Sequence, residues 1–407
     1  MNPATLLVKK KNTRQLLEYL FNNGETSRVA LAKAMDLSTA TVTNLVTELM
    51  EQGLVYESRQ ESSAAGRKTH LLTFSKDIAY VITCSLIEIE EDYIRISLTD
   101  LCGNVLKEDG FHGNFYVSDT HTEVHLITEI ISMIRSFMNT LSPSETAKIC
   151  GIGICIGGMV DSSQLISVPT MNWRNLNLVT PLHSTFQVPV YAEGVTRIKA
   201  LYELRWLDPS EKNVIYLNLS TGIGLVHFFN GKMIRGAYGI AGEIGHMSMN
   251  PDGPKCYCGN TGCFEQYCGM LRIMKKVGDI LPQLDPSDRL YELVVKGKRP
   301  LTPKLVFQAF NEGSLAVYQQ MHDVSRYLGA GLASIQNIYD PDKIVLSGYV
   351  DGEDDQVIRS AIIEARYRMV NRFGGEIKVT RAHLKPEQTT VAIAMFVASR
   401  YLDELTK

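Results

Sequence analysis

The sequence predicts an α/β protein that carries a small N-terminal module of three helices and a β-hairpin. Two observations lead to this fold class. Residues 1–75 contain three short stretches of helical periodicity followed by two strand-like stretches. Residues 76–407 instead alternate apolar strands with longer amphipathic helices, which is typical of α/β domains. A chain of 407 residues, 45% hydrophobic and 21% charged, suffices for two or three folded domains and does not have the composition of a disordered protein.

The N-terminal elements follow one another in short steps. The first helix is predicted over residues 13–21, where leucines recur at helical spacing. Ser27 and Ser38 are suited to cap a second and a third helix, because a serine hydroxyl can accept a hydrogen bond from a free backbone N–H. Residues 54–56 and 69–74 then predict the two strands of a hairpin.

Three helices and a hairpin describe a winged helix-turn-helix, whose third helix enters the major groove of DNA. Small polar side chains in the first turns of that helix can contact bases or phosphates; they are Ser38, Thr39, Thr41, Thr43 and Asn44. Arg67 and Lys68 at the hairpin tip can reach the minor groove or a phosphate. Since one module presents one reading helix, we expect a homodimer or a dimer of dimers on pseudo-palindromic operator DNA.

The alternative for this segment is a plain three-helix bundle with a solvated polar face. Residues 1–75 carry a net charge of +2 and the remainder carries −5. This small asymmetry permits nucleic-acid binding without requiring it.

The body shows strands and helices in alternation. Strands are predicted over residues 80–87, 93–98, 149–156, 188–192, 214–219 and 343–347, and helices over 124–141, 324–339 and 389–402. Glycine-rich turns follow two of the strands, at Gly157-Gly158 and at Thr221–Gly224. Such turns let backbone N–H groups approach an anion or a sugar, although a tight structural turn explains each of them equally well.

A glycine-rich segment, residues 239–267, carries the strongest local pattern. Cys256, Cys258 and Cys263 lie on it with His246 ten residues upstream, and three thiolates with one imidazole form a ligand set for structural zinc. The alternative is a loop of reduced cysteines. Glu243 and Glu265 flank the cysteines, where carboxylates can accept hydrogen bonds from sugar hydroxyls or lie solvated at the surface.

The motifs G-E-I-G-H and C-x-C-G-x-x-G-C-x-E, between Gly242 and Glu265, resemble those of the ROK family of repressors, open reading frames and kinases. The resemblance covers nearly the whole chain, and the winged helix places it in the repressor branch. It implies a two-lobed, actin-like ATPase fold behind the DNA-binding module. It also implies zinc held by His246 and the three cysteines, with sugar contacts at Glu243, His246 and Glu265.

The same resemblance divides the chain into three parts and extends the effector site. The winged helix would occupy residues 1–75, a small lobe 76–190 plus 380–407, and a large lobe with the zinc knuckle 191–379. Gly158 matches the family's substrate turn, Thr170 stands where the family carries a sugar-binding amide, and the two complete the expected effector-binding set.

The chain also departs from the pattern of the family's kinases. Residues 85–89 lack the glycines of the kinases' first phosphate-binding turn. Gly194 and Val195 stand where the kinases carry Asn-Asp, whose aspartate is the general base. Gly157-Gly158 lacks the usual proline, and Thr170 replaces a sugar-binding amide. We therefore expect no ATP binding, no enzymatic activity and a weakened affinity for plain sugars.

These features predict a DNA-binding regulator, foremost a repressor of carbohydrate-metabolism genes whose inactive kinase-like lobes sense a sugar or sugar-derived effector. Control by a protein partner, such as a sugar-transport component, stays open, and an active sugar kinase is the weaker alternative. No stretch of about 20 predominantly apolar residues is found, and no secretory signal opens the chain. We expect a cytoplasmic protein without a membrane partner.

Overall fold

The computed structural model describes residues 3–62, 68–87, 91–349, 356–370, 376–385 and 388–406. The chain forms two compact units. The first comprises Met1–Arg205 together with Glu387–Lys407, and the second comprises Trp206–Pro386. The C-terminal helix therefore belongs to the same unit as the N-terminal module. The three-part division drawn from the sequence stays a prediction.

The N-terminal module contains three helices and a small antiparallel sheet. Its elements are α1 (Pro3–Asn23), β1 (Thr26–Ser27), α2 (Arg28–Ala34), α3 (Thr39–Glu51), β2 (Val55–Ser62) and β3 (Lys68–Phe74). The strands lie in the order β1-β3-β2. Both predicted caps form, since Ser27 Oγ accepts a hydrogen bond from Ala30 N and Ser38 Oγ accepts one from Thr41 N. The winged helix-turn-helix prediction is thereby confirmed.

The first helix begins ten residues before its predicted start. Its early residues carry no apolar stripe, so periodicity alone gave no signal there. An ion pair holds this part of α1, since Lys9 Nζ lies 2.7 Å from Glu48 Oε1 of α3; further along the helix, Arg14 Nη2 lies 2.6 Å from Asp403 Oδ1.

A five-stranded sheet forms the centre of the rest of the first unit. Its strands are β4 (Tyr80–Leu86), β5 (Tyr93–Asp100), β6 (Val105–His112), β7 (Ile149–Ile156) and β11 (Val190–Gly194), in the order β11-β7-β4-β5-β6. β11, β7 and β4 are parallel, and β5 and β6 extend the sheet antiparallel. The C-terminal helix α14 (Thr389–Leu405) packs on β7, where Gly153 leaves it room: a Cβ there would lie 2.8 Å from Ile393 Cγ2.

Shorter elements complete the first unit. They are α4 (Glu123–Met138), α5 (Pro143–Thr146), β8 (Met159–Val160), β9 (Ile166–Val168), β10 (Trp173–Leu176), α6 (Val179–Phe186) and α7 (Val195–Glu203). The strands β10, β9 and β8 form a small separate sheet that the sequence did not predict. Its buried Trp173 donates a hydrogen bond from Nε1 to Phe115 O at 2.7 Å, which ties this sheet to the chain before α4.

The second unit is built on another five-stranded sheet. Its strands are β12 (Asn213–Leu219), β13 (Ile223–Phe229), β14 (Lys232–Met233), β15 (Lys343–Gly348) and β16 (Val379–Arg381), in the order β14-β13-β12-β15-β16. Its helices are α8 (Glu265–Cys268), α9 (Met270–Ile280), α10 (Arg289–Tyr291), α11 (Pro303–Asn311), α12 (Leu315–Tyr339) and α13 (Gln356–Arg368). A π-helical turn, Glu292–Lys296, continues α10. The core contains apolar side chains from β12, β15 and the helices α9 to α13.

Most of the strands and helices predicted in the body are present within one to three residues of their expected ends. The exception is α12, which begins at Leu315 rather than Val324, because Ser314 Oγ accepts a hydrogen bond from Val317 N and starts the helix there. None of the helices in the described part of the chain combines the length and apolar character that crossing a membrane requires.

Candidate functional site

The reading helix α3 presents its polar residues in two different ways. Ser38 Oγ lies 2.8 Å from Thr41 Oγ1 and caps the helix, and Thr43 Oγ1 donates to Thr39 O at 2.8 Å. The hydroxyls of Ser38, Thr41 and Thr43 thus have partners within the helix. Asn44 is exposed, and its amide makes no hydrogen bond to the residues that the structure describes. Thr39 is likewise exposed, and its hydroxyl makes no hydrogen bond to the described residues, so Asn44 and Thr39 are the side chains of this set best placed for base contacts.

The opposite side of α3 is buried and fixes its position. Val42, Leu45, Val46 and Leu49 are at most 5% exposed and pack in the core of the module. The two sides of the helix thus have opposite character, as expected of a helix that packs on one face and reads DNA with the other. Of the predicted wing contacts, Arg67 lies outside the described residues, and Lys68 begins β3. Their contact with DNA stays a prediction.

The four predicted metal ligands lie together in the second unit. The ligand atoms of His246, Cys256, Cys258 and Cys263 all lie within 4.8 Å of one another. His246 Nδ1 lies 3.7 Å from Cys256 Sγ, and Cys258 Sγ lies 3.7 Å from Cys263 Sγ. A tetrahedron with Zn–S bonds of about 2.3 Å has edges of about 3.8 Å, so these spacings fit a metal-binding cluster.

Local backbone pairing forms this knuckle. Isolated bridges join Ser248 to Cys263 and Lys255 to Thr261, and Cys256 N donates to Asn260 O at 2.8 Å. Gly262 has a φ of +66° and packs directly on Asn250 O, a position that admits no Cβ. The tight turn that carries Cys263 therefore requires the glycine that the motif contains at position 262.

Hydrogen bonds from neighbouring side chains reach one sulfur of the cluster and the backbone of its histidine. Gln266 Nε2 donates to Cys256 Sγ at 3.3 Å, and Asn260 Nδ2 donates to His246 O at 3.2 Å. Burial, followed by hydrogen bonds to Cys258 and Cys256, raises the pKa of Cys263 to about 12. Cys268 lies apart from the cluster: it is fully buried, and its thiol donates to Val324 O at 3.5 Å.

The carboxylate of Glu265 is buried beside the glycine-rich turn after β12. The residue is 6% exposed, and its Oε2 accepts a hydrogen bond from Ile223 N at 3.0 Å. A Cβ on Gly222 would lie 2.5 Å from the same oxygen, so the turn needs glycine to approach the carboxylate. This turn therefore contacts a side chain of its own unit, which supports the structural interpretation of its glycines.

An aromatic residue that the sequence analysis did not single out lies among the predicted effector groups. The ring of Tyr257 meets the ring of His246 edge-on, with centroids 5.4 Å apart and planes at 89°. Burial, then the charge of Glu265 and a hydrogen bond to Glu265, raises the pKa of Tyr257 above its ordinary value, and Glu243 contributes in the same direction. The position of Tyr257 between two ligand cysteines was the available signal.

Gly158 and Thr170, the other predicted effector residues, belong to the first unit. A Cβ on Gly158 would lie 2.6 Å from Ser167 O, so close backbone packing alone explains the glycine. Thr170 is exposed on a 3₁₀ turn, Pro169–Met171. The next amide, Asn172, donates from Nδ2 to Val117 O at 2.9 Å and so holds the loop.

The start of α7, where the kinases carry their general base, has a different chemistry here. The helix begins at Val195, and Glu193 is the penultimate residue of β11. Glu193 Oε1 accepts hydrogen bonds from Gly194 N at 3.0 Å and from Arg197 Nη1 at 3.2 Å. Both side chains of this ion pair are almost completely buried. The carboxylate of Glu193 is therefore held by a cation, a partner that sequence spacing did not identify.

Two family models match the chain. The model of the ROK family matches residues 84–399, and that of the winged helix-turn-helix DNA-binding family matches residues 9–56. Among curated proteins, the chain is 28% identical over 401 residues to the xylose repressor of Bacillus subtilis (strain 168), covering 98% of each chain. It is 27% identical over 398 residues to the DNA-binding transcriptional dual regulator NagC of Escherichia coli (strain K12), covering 96% of this chain and 93% of NagC.

Solved structures support the fold. A ROK family transcriptional regulator, homologous to the E. coli MLC protein, superposes with a TM-score of 0.75 at 22% identity and covers 98% of each chain. A ROK family glucokinase from Streptomyces griseus, in complex with glucose and AMPPNP, superposes with a TM-score of 0.63 at 22% identity, covering 78% of this chain and 99% of the glucokinase. Of these two superpositions, only the one with the transcriptional regulator covers nearly the whole chain.

Proposed function

Because this chain belongs to the ROK family and carries a winged helix-turn-helix, we propose that it is a transcriptional repressor of carbohydrate genes that binds operator DNA and responds to a sugar or sugar-derived effector. The observation that carries the proposal is the exposed polar face of α3, with the amide of Asn44 directed away from the core of the module. The xylose repressor and the dual regulator NagC, which align over almost the whole chain, support the assignment.

DNA binding is tested with operators selected from random duplexes by the purified full-length protein. We expect a pseudo-palindromic consensus, since a dimer places two reading helices on two half-sites. Asn44→Ala should weaken binding to the selected operator about tenfold or more, because a bidentate base contact contributes about 1–3 kcal/mol. Asn311→Ala, an exposed asparagine at the end of α11, is the matched control. Failure to enrich any sequence, or an Asn44→Ala variant with wild-type affinity, contradicts the proposal.

The metal in the knuckle is, in this proposal, one structural zinc ion per chain. Three thiolates and one imidazole fill the four positions that structural zinc uses, and leave none open for catalysis. A bound zinc ion would stabilise three thiolates this close to one another, and Gln266 adds a hydrogen-bond donor to one of the sulfurs.

We further propose that the kinase-like body does not phosphorylate sugars. Val195 has no group that can accept the proton of a hydroxyl, and the buried ion pair with Arg197 holds the carboxylate of Glu193. A coupled ATP assay with D-xylose, D-glucose and N-acetyl-D-glucosamine should show no turnover above the blank for wild type or for Val195→Asp. Sugar-dependent turnover by wild type that Glu193→Gln abolishes would overturn this part of the proposal.

A further inference from the structure

A cavity of about 490 Å³ lies between α1 and α14 in the first unit. Its volume falls within the range of small-molecule sites, about 300–1,000 Å³. Six charged side chains line it, four of them cationic and two anionic: Lys10, Lys11, Arg14, Arg400, Asp403 and Glu404. The lining therefore has a formal excess of two positive charges. None of the residues predicted to bind the effector belongs to it.

The charges that line the cavity differ in whether the protein itself supplies a partner. The carboxylate of Asp403 is held by Arg14, whose Nη2 lies 2.6 Å from Oδ1. Lys11 and Arg400, by contrast, form no ion pair with any residue that the structure describes. Two cations that face one cavity without a carboxylate partner raise the local electrostatic potential and attract an anion.

Arg400 is positioned by an aromatic ring rather than by a carboxylate. Its guanidinium carbon lies 5.6 Å from the centroid of the Phe396 ring, one helical turn earlier on α14. Phe396 in turn meets the ring of Tyr191 edge-on, with centroids 6.3 Å apart and planes at 77°, and Tyr191 lines the same cavity. The planar fork of a guanidinium positioned in this way matches two oxygens of a phosphate group.

We propose that this cavity binds the phosphate group of a small molecule, either inorganic phosphate or a phosphomonoester, through Arg400 of α14 and Lys11 of α1. A phosphomonoester carries a charge of about −1.5 to −2 at neutral pH, which matches the excess of two positive charges. Leu7 and the ring of Tyr191 also line the cavity and can accommodate an organic part. The bound phosphate contacts both helices, so it links the DNA-binding module to the helix that packs on the central sheet.

The test is isothermal titration calorimetry of the full-length protein with sodium phosphate and with sn-glycerol 3-phosphate, at an ionic strength held constant with NaCl. Neither probe has a sugar ring, so sugar binding at the predicted effector residues does not contribute. We expect wild type to bind at least one probe with a dissociation constant below about 1 mM. Tighter binding of glycerol 3-phosphate assigns the site to phosphomonoesters, and equal or tighter binding of phosphate assigns it to the free ion. Binding of neither probe overturns the proposal.

Two single variants locate the binding in the cavity. Arg400→Gln should weaken binding about tenfold or more, because it removes a bidentate contact, and Lys11→Gln should weaken it about threefold, because it removes a single point charge. Arg174→Gln is the matched control, since Arg174 is an exposed arginine on β10 of the same unit that forms no ion pair within the described part of the chain. Melting temperatures without phosphate check that each variant is folded, and either cavity variant alone suffices for the test.

The proposal is overturned if both cavity variants bind the probes as wild type does, or if Arg174→Gln loses as much affinity as they do. Operator binding is measured with the same variants in phosphate-free buffer. Variants that retain phosphate binding but lose operator affinity, with a smaller dependence on salt, would assign Lys11 and Arg400 to contacts with the DNA backbone and would also overturn the proposal. The proposed function is tested separately, by whether wild type selects an operator.

Discussion

Cys258 contributes one of the four donors of the knuckle and is the most exposed of them. Cys258→Ser should eliminate bound zinc, because a structural site requires all four ligands and its binding free energy adds to folding. We expect about one zinc per chain in wild type by elemental mass spectrometry, almost none in the variant, and a lower melting temperature. Cys150→Ser, a half-buried thiol of the first unit, should keep the metal. Freshly purified, unchelated wild type without zinc would contradict the prediction.

Single residues differ in how far their roles could be predicted. The four metal ligands lie within eighteen positions, so their spacing alone brought them together, and the structure agrees. Glu265 and Glu193 were harder, because no motif joins either residue to the partner that fixes its role. Glu265 bonds to Ile223, 42 residues earlier, and Glu193 pairs with Arg197 one helical turn later. Motif matching identified Glu265 as a sugar contact and gave no indication that its carboxylate binds the backbone of the turn after β12.

At the level of secondary structure, the sequence predicted the strands and helices that have a strong apolar pattern. It did not predict those whose conformation depends on contacts with neighbouring elements. β7 matches its predicted bounds, Ile149–Ile156, because seven of its eight residues are buried. β6 was missed because six of its eight residues are exposed or polar, and its extended conformation depends on pairing with β5. The first ten residues of α1 were missed for a similar reason, since they carry no apolar stripe and are held by the ion pair between Lys9 and Glu48 of α3.

At the scale of the whole first unit, α1 of the DNA-binding module contacts α14, which packs on the central sheet. Arg14 Nη2 lies 2.6 Å from Asp403 Oδ1, an oxygen that is inaccessible to solvent, while Arg14 Nε donates to Glu18 at 2.9 Å. Arg14 and Asp403 line a cavity of about 490 Å³ between the two helices, together with Lys10, Lys11 and Arg400. The ion pair is therefore a direct connection between the DNA-binding module and the body of this unit.

Asp403→Asn keeps the shape of the side chain and removes the charge that holds Arg14. Partly exposed ion pairs contribute about 0.2–1 kcal/mol, so stability to urea should fall by no more than about 1 kcal/mol. Operator affinity should fall about two- to fivefold, because α1 then positions the module less firmly and part of the binding free energy is used to order it.

Asp279→Asn, which removes the exposed ion pair with Lys275 in the second unit, should change neither urea stability nor operator affinity appreciably. Fluorescence anisotropy on the selected operator and urea unfolding measure both effects. Wild-type operator affinity in Asp403→Asn would show that the module is positioned without this ion pair.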